Sequence, residues 1–114
     1  MYKNIFDTHA HYEDEQFDCD RDELLSSFPE NGISGVVTCG TDIITSEKSI
    51  ALAEKYPFIY AAVGFHALNL DSLTADWCGD IKRLAAQKKV VAIGEIGLDY
   101  HYERDSREKQ LEIF

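Results

Sequence analysis

A chain of 114 residues and 12.9 kDa, 45% hydrophobic and 11% aromatic, carries enough apolar surface for one ordinary core and reads as a single domain over residues 1–114. With 21 Asp and Glu against 11 Lys and Arg, the formal net charge of -10 excludes tight non-specific attraction of a polyphosphate unless bound cations reverse the sign locally. The three scattered cysteines, Cys19, Cys39 and Cys78, fit neither a disulfide framework nor a thiolate zinc site, and no apolar run reaches signal or membrane-spanning length, so a cytoplasmic protein without a membrane partner is expected.

Along the chain, short β-favouring runs alternate with segments of helical period. The first strand is read from Ile5 to His9. Asp20 then caps a helix, with Glu23 in the reciprocal position, Leu24, Leu25 and Phe28 facing inward, and Pro29 and Gly32 as the stop. A second strand from Ser34 to Cys39 precedes a helix from near Ser46 to Tyr56, which places Ile50, Ala53 and Tyr56 on one face before Pro57 ends it. The third strand runs from Phe58 to Gly64, and Trp77, Ile81, Leu84 and Ala85 follow at helical spacing. The fourth strand is read from Val90 to Ile96. Both Ile59-Tyr60-Ala61-Ala62-Val63 and Val90-Val91-Ala92-Ile93 are continuously apolar, the pattern of parallel strands covered on both faces. A last helix is expected from a cap at Asp105 with Glu108 three residues on, turning Leu111 and Phe114 toward a core. No helix-ending signal follows Phe114, which reads as truncation within an element. The order is that of an α/β fold with about four βα units.

Chemistry concentrates at strand ends. Asp7-Thr8-His9-Ala10-His11 sets two histidines at i and i+2, where alternate side chains leave a strand on the same side and two imidazoles reach one metal. A bare H-x-H equally fits two surface histidines. Glu95, in Gly94-Glu95-Ile96-Gly97, puts a carboxylate into an apolar β run, where it requires a cation, a donor or a raised pKa, or else an internal ion pair with a helix residue. His9, His11 and Glu95 fall at the C-terminal ends of the first and fourth strands, the face on which barrel enzymes carry their catalytic groups. His66 follows the third strand on the same rim, as a substrate contact or an exposed loop histidine. His101 reads as solvated, Arg104 and Arg107 as members of local ion pairs, and Cys39 as a small buried thiol with no base beside it.

Four segments, Phe6-Asp7-Thr8-His9-Ala10-His11, Val36-Val37-Thr38-Cys39-Gly40-Thr41-Asp42, Ala61-Ala62-Val63-Gly64-Phe65-His66 and Ala92-Ile93-Gly94-Glu95-Ile96-Gly97-Leu98-Asp99-Tyr100, together resemble, in order, the motifs of TatD-type metal-dependent deoxyribonucleases. The resemblance implies the N-terminal half of a TIM-type (βα)8 barrel and a centre of two divalent ions, Zn, Mn or Mg. His9 and His11 would be ligands of one ion, Glu95 the catalytic carboxylate shared by both, and His66 a contact to substrate phosphate. It implies hydrolysis of DNA phosphodiesters. Ala67 stands where the family commonly has Pro, and Asp105-Ser106 where it has Ser-Pro; the family's remaining His and Asp ligands belong to later strands, beyond Phe114. Two rival expectations are a metal-dependent hydrolase of another ester or amide, since H-x-H also suits amidohydrolases, and a non-catalytic half barrel that self-associates through its open edges.

Overall fold

A computed structural model of the chain describes residues 2–102 and 106–114. Strands and helices alternate as β1 (Ile5–Ala10), α1 (Arg21–Ser26), β2 (Ile33–Cys39), α2 (Ile43–Lys55), β3 (Ile59–Val63), α3 (Trp77–Ala85), β4 (Val90–Ile93) and α4 (Arg107–Ile113). All neighbouring strands pair in parallel, in the order β1-β2-β3-β4. Parallel pairing in chain order requires a crossover between each pair of strands, and a helix makes each one: this is a run of four units of a TIM-type (βα)8 barrel. Among the described residues no helix is long and apolar enough to cross a membrane.

The core lies between the sheet and its helices. Leu25 and Phe28, Ile50, Ala53 and Tyr56, and Leu84 pack on Val36, Ile59, Ala61 and Val63, with Leu25, Val36, Ile59, Ala61 and Val63 wholly buried. Burial of each such aliphatic side chain contributes about 1.5–3 kcal/mol. Tyr60, between buried Ile59 and Ala61, points to the other face of the sheet, where its ring stacks on Phe6 at 6.4 Å.

Helix α2 starts three residues earlier than its apolar period suggests. The Asp42 carboxylate accepts from the Thr45 amide at 2.8 Å, and the Thr45 hydroxyl takes the Asp42 amide at 3.0 Å, a capping box that initiates the helix at Ile43. The capping box expected at α1 does not form: Asp20 makes no side-chain cap, and α1 begins on its backbone carbonyl.

Strand β4 lies at the edge of the four-stranded sheet, as expected of four barrel units, with Val91 and Ile93 about half exposed, and β3 is the covered strand. One expectation fails at the C-terminal end. In α4, Leu111 and Phe114 are exposed and the buried residue is Gln110. Its amide brackets the Asp99 backbone, accepting from the Asp99 N–H at 2.7 Å and donating to the Asp99 carbonyl at 2.8 Å, so a polar clamp rather than an apolar knob seats this helix. The expected cap at Asp105 lies outside the described residues, as does Arg104.

Candidate metal centre

The two histidines of the H-x-H segment leave β1 on one side. Their rings meet edge to face with Nε2 atoms 3.3 Å apart. Glu95 reaches them from across the sheet by a different route than the sequence suggests. Strand β4 ends at Ile93, and Glu95 stands two residues beyond it with φ 52°, a left-handed conformation that a non-glycine residue adopts at a cost of about 1–2 kcal/mol. That turn aims the carboxylate back over the sheet, placing Oε2 2.7 Å from His9 Nε2 and 4.0 Å from His11 Nε2.

Gly64 makes this approach possible. A Cβ at that position would lie 1.9 Å from the Gly94 carbonyl oxygen, so the end of β3 and the Glu95 turn touch backbone to backbone.

The donors fit a divalent cation. One atom from each of His9, His11 and Glu95 lies within 4.8 Å of the other two. A tetrahedral ion bound at zinc distances holds its ligands about 3.3 Å apart, and the three observed separations, 2.7, 3.3 and 4.0 Å, bracket that value. The Glu95 Oε2 atom is buried and, among the described residues, has no hydrogen-bond partner: its short contact to His9 lacks hydrogen-bond alignment. A buried carboxylate oxygen aimed between two imidazole nitrogens, with no donor of its own, matches the electrostatics of a cation site. The alternative of an ion pair between Glu95 and a helix residue is not seen among the described residues.

His11 is locked in the required tautomer. Its Nδ1 lies 2.8 Å from the Cys39 carbonyl oxygen and 3.2 Å from Glu13 Oε1, two acceptors that place the proton on Nδ1 and leave the Nε2 lone pair facing the cluster. Glu13 is buried, and its other oxygen, Oε2, accepts from the Thr38 hydroxyl at 2.6 Å. The sequence gives little sign of Glu13, because a lone acid after a loop tyrosine looks solvated; its partner Thr38 lies 25 residues away on β2.

The remaining residues sit around this cluster. His66 follows β3 and is not one of the three convergent residues; its amide donates to the Thr41 carbonyl and its Nδ1 accepts from the Leu68 amide at 3.1 Å, which leaves the proton on Nε2. Asp99 accepts from the His101 and Tyr102 amides at 2.9 and 3.1 Å. The Tyr102 hydrogen bond, and after it the one from His101, hold its carboxyl below the usual range. His101 is exposed, as expected. Arg107 departs from expectation: its contact among the described residues is a cation–π stack 4.7 Å over the Tyr100 ring. Cys39 is buried, and burial raises its thiol pKa, which fits a structural thiol rather than a nucleophile.

Comparison with known proteins places the chain in one family. A family model described as "TatD related DNase" matches residues 6–114. YabD of Bacillus subtilis (strain 168), described as an uncharacterized metal-dependent hydrolase, is 40% identical over 110 residues, spanning 96% of this chain and 43% of that protein. The 3'-5' ssDNA/RNA exonuclease TatD of Pantoea ananatis is 32% identical over 107 residues, 93% of this chain and 41% of that protein. Among solved structures, the TatD homolog YJJV of Escherichia coli superimposes with a TM-score of 0.83 at 29% identity, over 96% of this chain and 43% of its own. A hydrolase of the TatD family from Entamoeba histolytica gives 0.85 at 26%, over 99% and 44%. The chain thus spans less than half the length of these relatives.

Proposed function

The chain belongs to the TatD-related DNase family, and from that premise we propose that it carries part of the metal centre of a hydrolase that cleaves phosphodiester bonds in DNA. The observation that carries the reading is the convergence of His9 Nε2, His11 Nε2 and the buried Glu95 Oε2 at the C-terminal ends of β1 and β4. His9 and His11 would be ligands of one ion and Glu95 a ligand common to two, in a centre of two divalent ions, Zn, Mn or Mg. Such ions, when bound, would supply Lewis-acid stabilisation of the charge that develops on the phosphoryl oxygens and lower the pKa of water at the centre. That two relatives are named for metal dependence and for single-stranded DNA and RNA cleavage supports a nucleic-acid substrate for this one.

The chain's own residues do the positioning. The left-handed turn at Glu95 brings a carboxylate across the sheet to two imidazoles at the end of β1, so the first and fourth units are tied through one site. His66, with its Nδ1 engaged by the Leu68 amide, presents an Nε2–H donor to a substrate phosphate oxygen from the β3 rim. The acidic surface does not oppose this, because cations in the cleft reverse the local potential. The test is cleavage of a 5'-labelled single-stranded DNA oligonucleotide with manganese or magnesium, comparing wild type with Glu95→Ala. We expect the substitution to lower metal-dependent cleavage by more than about a hundredfold, since even partners outside the ligand set contribute 10–100-fold. Undiminished activity in Glu95→Ala refutes the assignment.

A further inference from the structure

We infer that Glu13 is a positioning residue that tunes His11 as a metal ligand, through a built relay running from Thr38 to Glu13 to the His11 ring. The inference rests on the metal-site reading and adds to it a buried group that no ligand role requires. The carboxylate is almost fully enclosed, with its side chain 3% exposed. Both of its oxygens have defined work: Oε2 takes the Thr38 hydroxyl at 2.6 Å, and Oε1 lies 3.2 Å from His11 Nδ1.

Each link of the relay is itself held. Thr38 is wholly buried on β2, and its hydroxyl oxygen accepts from the Tyr12 amide at 3.2 Å, which turns its proton toward Glu13. The loop that carries Glu13 is clamped from outside by Arg21, whose Nε donates to the Tyr12 carbonyl and whose Nη2 donates to the Asp14 carbonyl, both at 2.6 Å. A buried carboxylate needs compensation for lost hydration, and a hydroxyl and an imidazole N–H provide it here.

The Cys39 carbonyl, 2.8 Å from Nδ1, would by itself fix the tautomer. What the carboxylate adds is charge: an anion beside the Nδ1 proton makes the opposite nitrogen a stronger electron-pair donor, the arrangement by which a histidine partner raises metal affinity. Glu13→Gln probes the charge at nearly constant shape: its one oxygen can still face Nδ1, while its NH2 meets the Thr38 hydroxyl, which must then accept where it donated.

The test is cobalt(II) titration of the 114-residue chain by calorimetry and visible absorption, with Glu13→Gln, His11→Ala and wild type side by side. We expect Glu13→Gln to weaken cobalt binding by about 10–100-fold, to lower the melting temperature in metal-free buffer slightly through the exchanged Thr38 hydrogen bond, and to shift the ligand-field bands of the bound ion. Cobalt affinity in Glu13→Gln within twofold of wild type, while His11→Ala loses binding, overturns the role of Glu13 and leaves the site intact. Unchanged affinity in His11→Ala overturns the site itself, and the relay with it. Should Glu13→Gln not fold, Thr38→Val, which removes the hydroxyl that holds Glu13 Oε2 at 2.6 Å, is titrated in its place: a cobalt affinity about tenfold or more below wild type supports the relay, and an affinity within twofold of wild type refutes it.

Discussion

Replacing Gly64 with alanine is expected to damage the site from a residue that holds no ligand atom. The added methyl would lie 1.9 Å from the Gly94 carbonyl oxygen and 3.1 Å from the Ile96 side chain, whereas real contacts essentially never close below 3.0 Å. Either the end of β3 or the turn bearing Glu95 must therefore retreat by about 1.1 Å. The partner is backbone, with no flexible side-chain end to swing aside. Ligand distances in metal sites tolerate about 0.2 Å, so a shift of this size at the residue before Glu95 takes its carboxylate out of register with His9 and His11. We expect cobalt(II) affinity to fall at least about tenfold, with a stability loss of about 1–3 kcal/mol from overpacking. Calorimetric titration and urea denaturation of wild type and Gly64→Ala read the two effects separately. Affinity within twofold of wild type, with the same absorption bands, would show that the backbone contact does not position Glu95.

Two further expectations concern the surroundings of the site. Asp22 Oδ1 accepts from Lys55 Nζ at 2.6 Å and from the Tyr56 hydroxyl at 2.7 Å, joining α1 to the end of α2. These bonds hold the Asp22 carboxyl below its usual pKa and raise that of Lys55, so the stabilisation is complete between the two unfolded values, is lost as pH falls through the folded Asp22 value, and is lost again as pH rises through that of Lys55. Asp22→Asn should melt slightly below wild type at pH 7, with the gap closing toward about pH 2; a gap independent of pH contradicts this. For the cysteines, a disulfide reagent should titrate the exposed Cys19 and Cys78 rapidly and Cys39 only on unfolding, since burial, more than the neighbouring carboxylates, raises its thiol pKa. Equal rates for all three would refute the buried thiol.

Periodicity made the four βα units legible, because an apolar β run and a helix of period 3.6 leave different marks on the chain. The boundaries followed side-chain chemistry that periodicity does not register: Asp42 and Thr45 start α2 at Ile43, and the Gly94-Glu95 turn ends β4 at Ile93. His9, His11 and Glu95 were each ambiguous alone and became informative through their shared place at strand ends. The strain at Glu95 is hidden, since a glutamate beside Gly94 gives no sign that it, and not the glycine, takes φ 52°. The roles of Glu13 and Gln110 are illegible in the sequence for a related reason. Both are polar residues whose partners, Thr38 and the Asp99 backbone, are set by tertiary register and not by local pattern. Leu111 and Phe114 were misplaced because helical period says which residues share a face and not which face is covered.

The direct test of the central claim, that His9, His11 and Glu95 together hold a divalent metal, is anomalous diffraction from crystals of the protein grown with zinc or manganese. The account predicts an anomalous peak about 2.0–2.2 Å from His9 Nε2, His11 Nε2 and Glu95 Oε2. A protein that binds the ion in solution but shows its anomalous peak elsewhere, with these three side chains bonded only to one another, would contradict it.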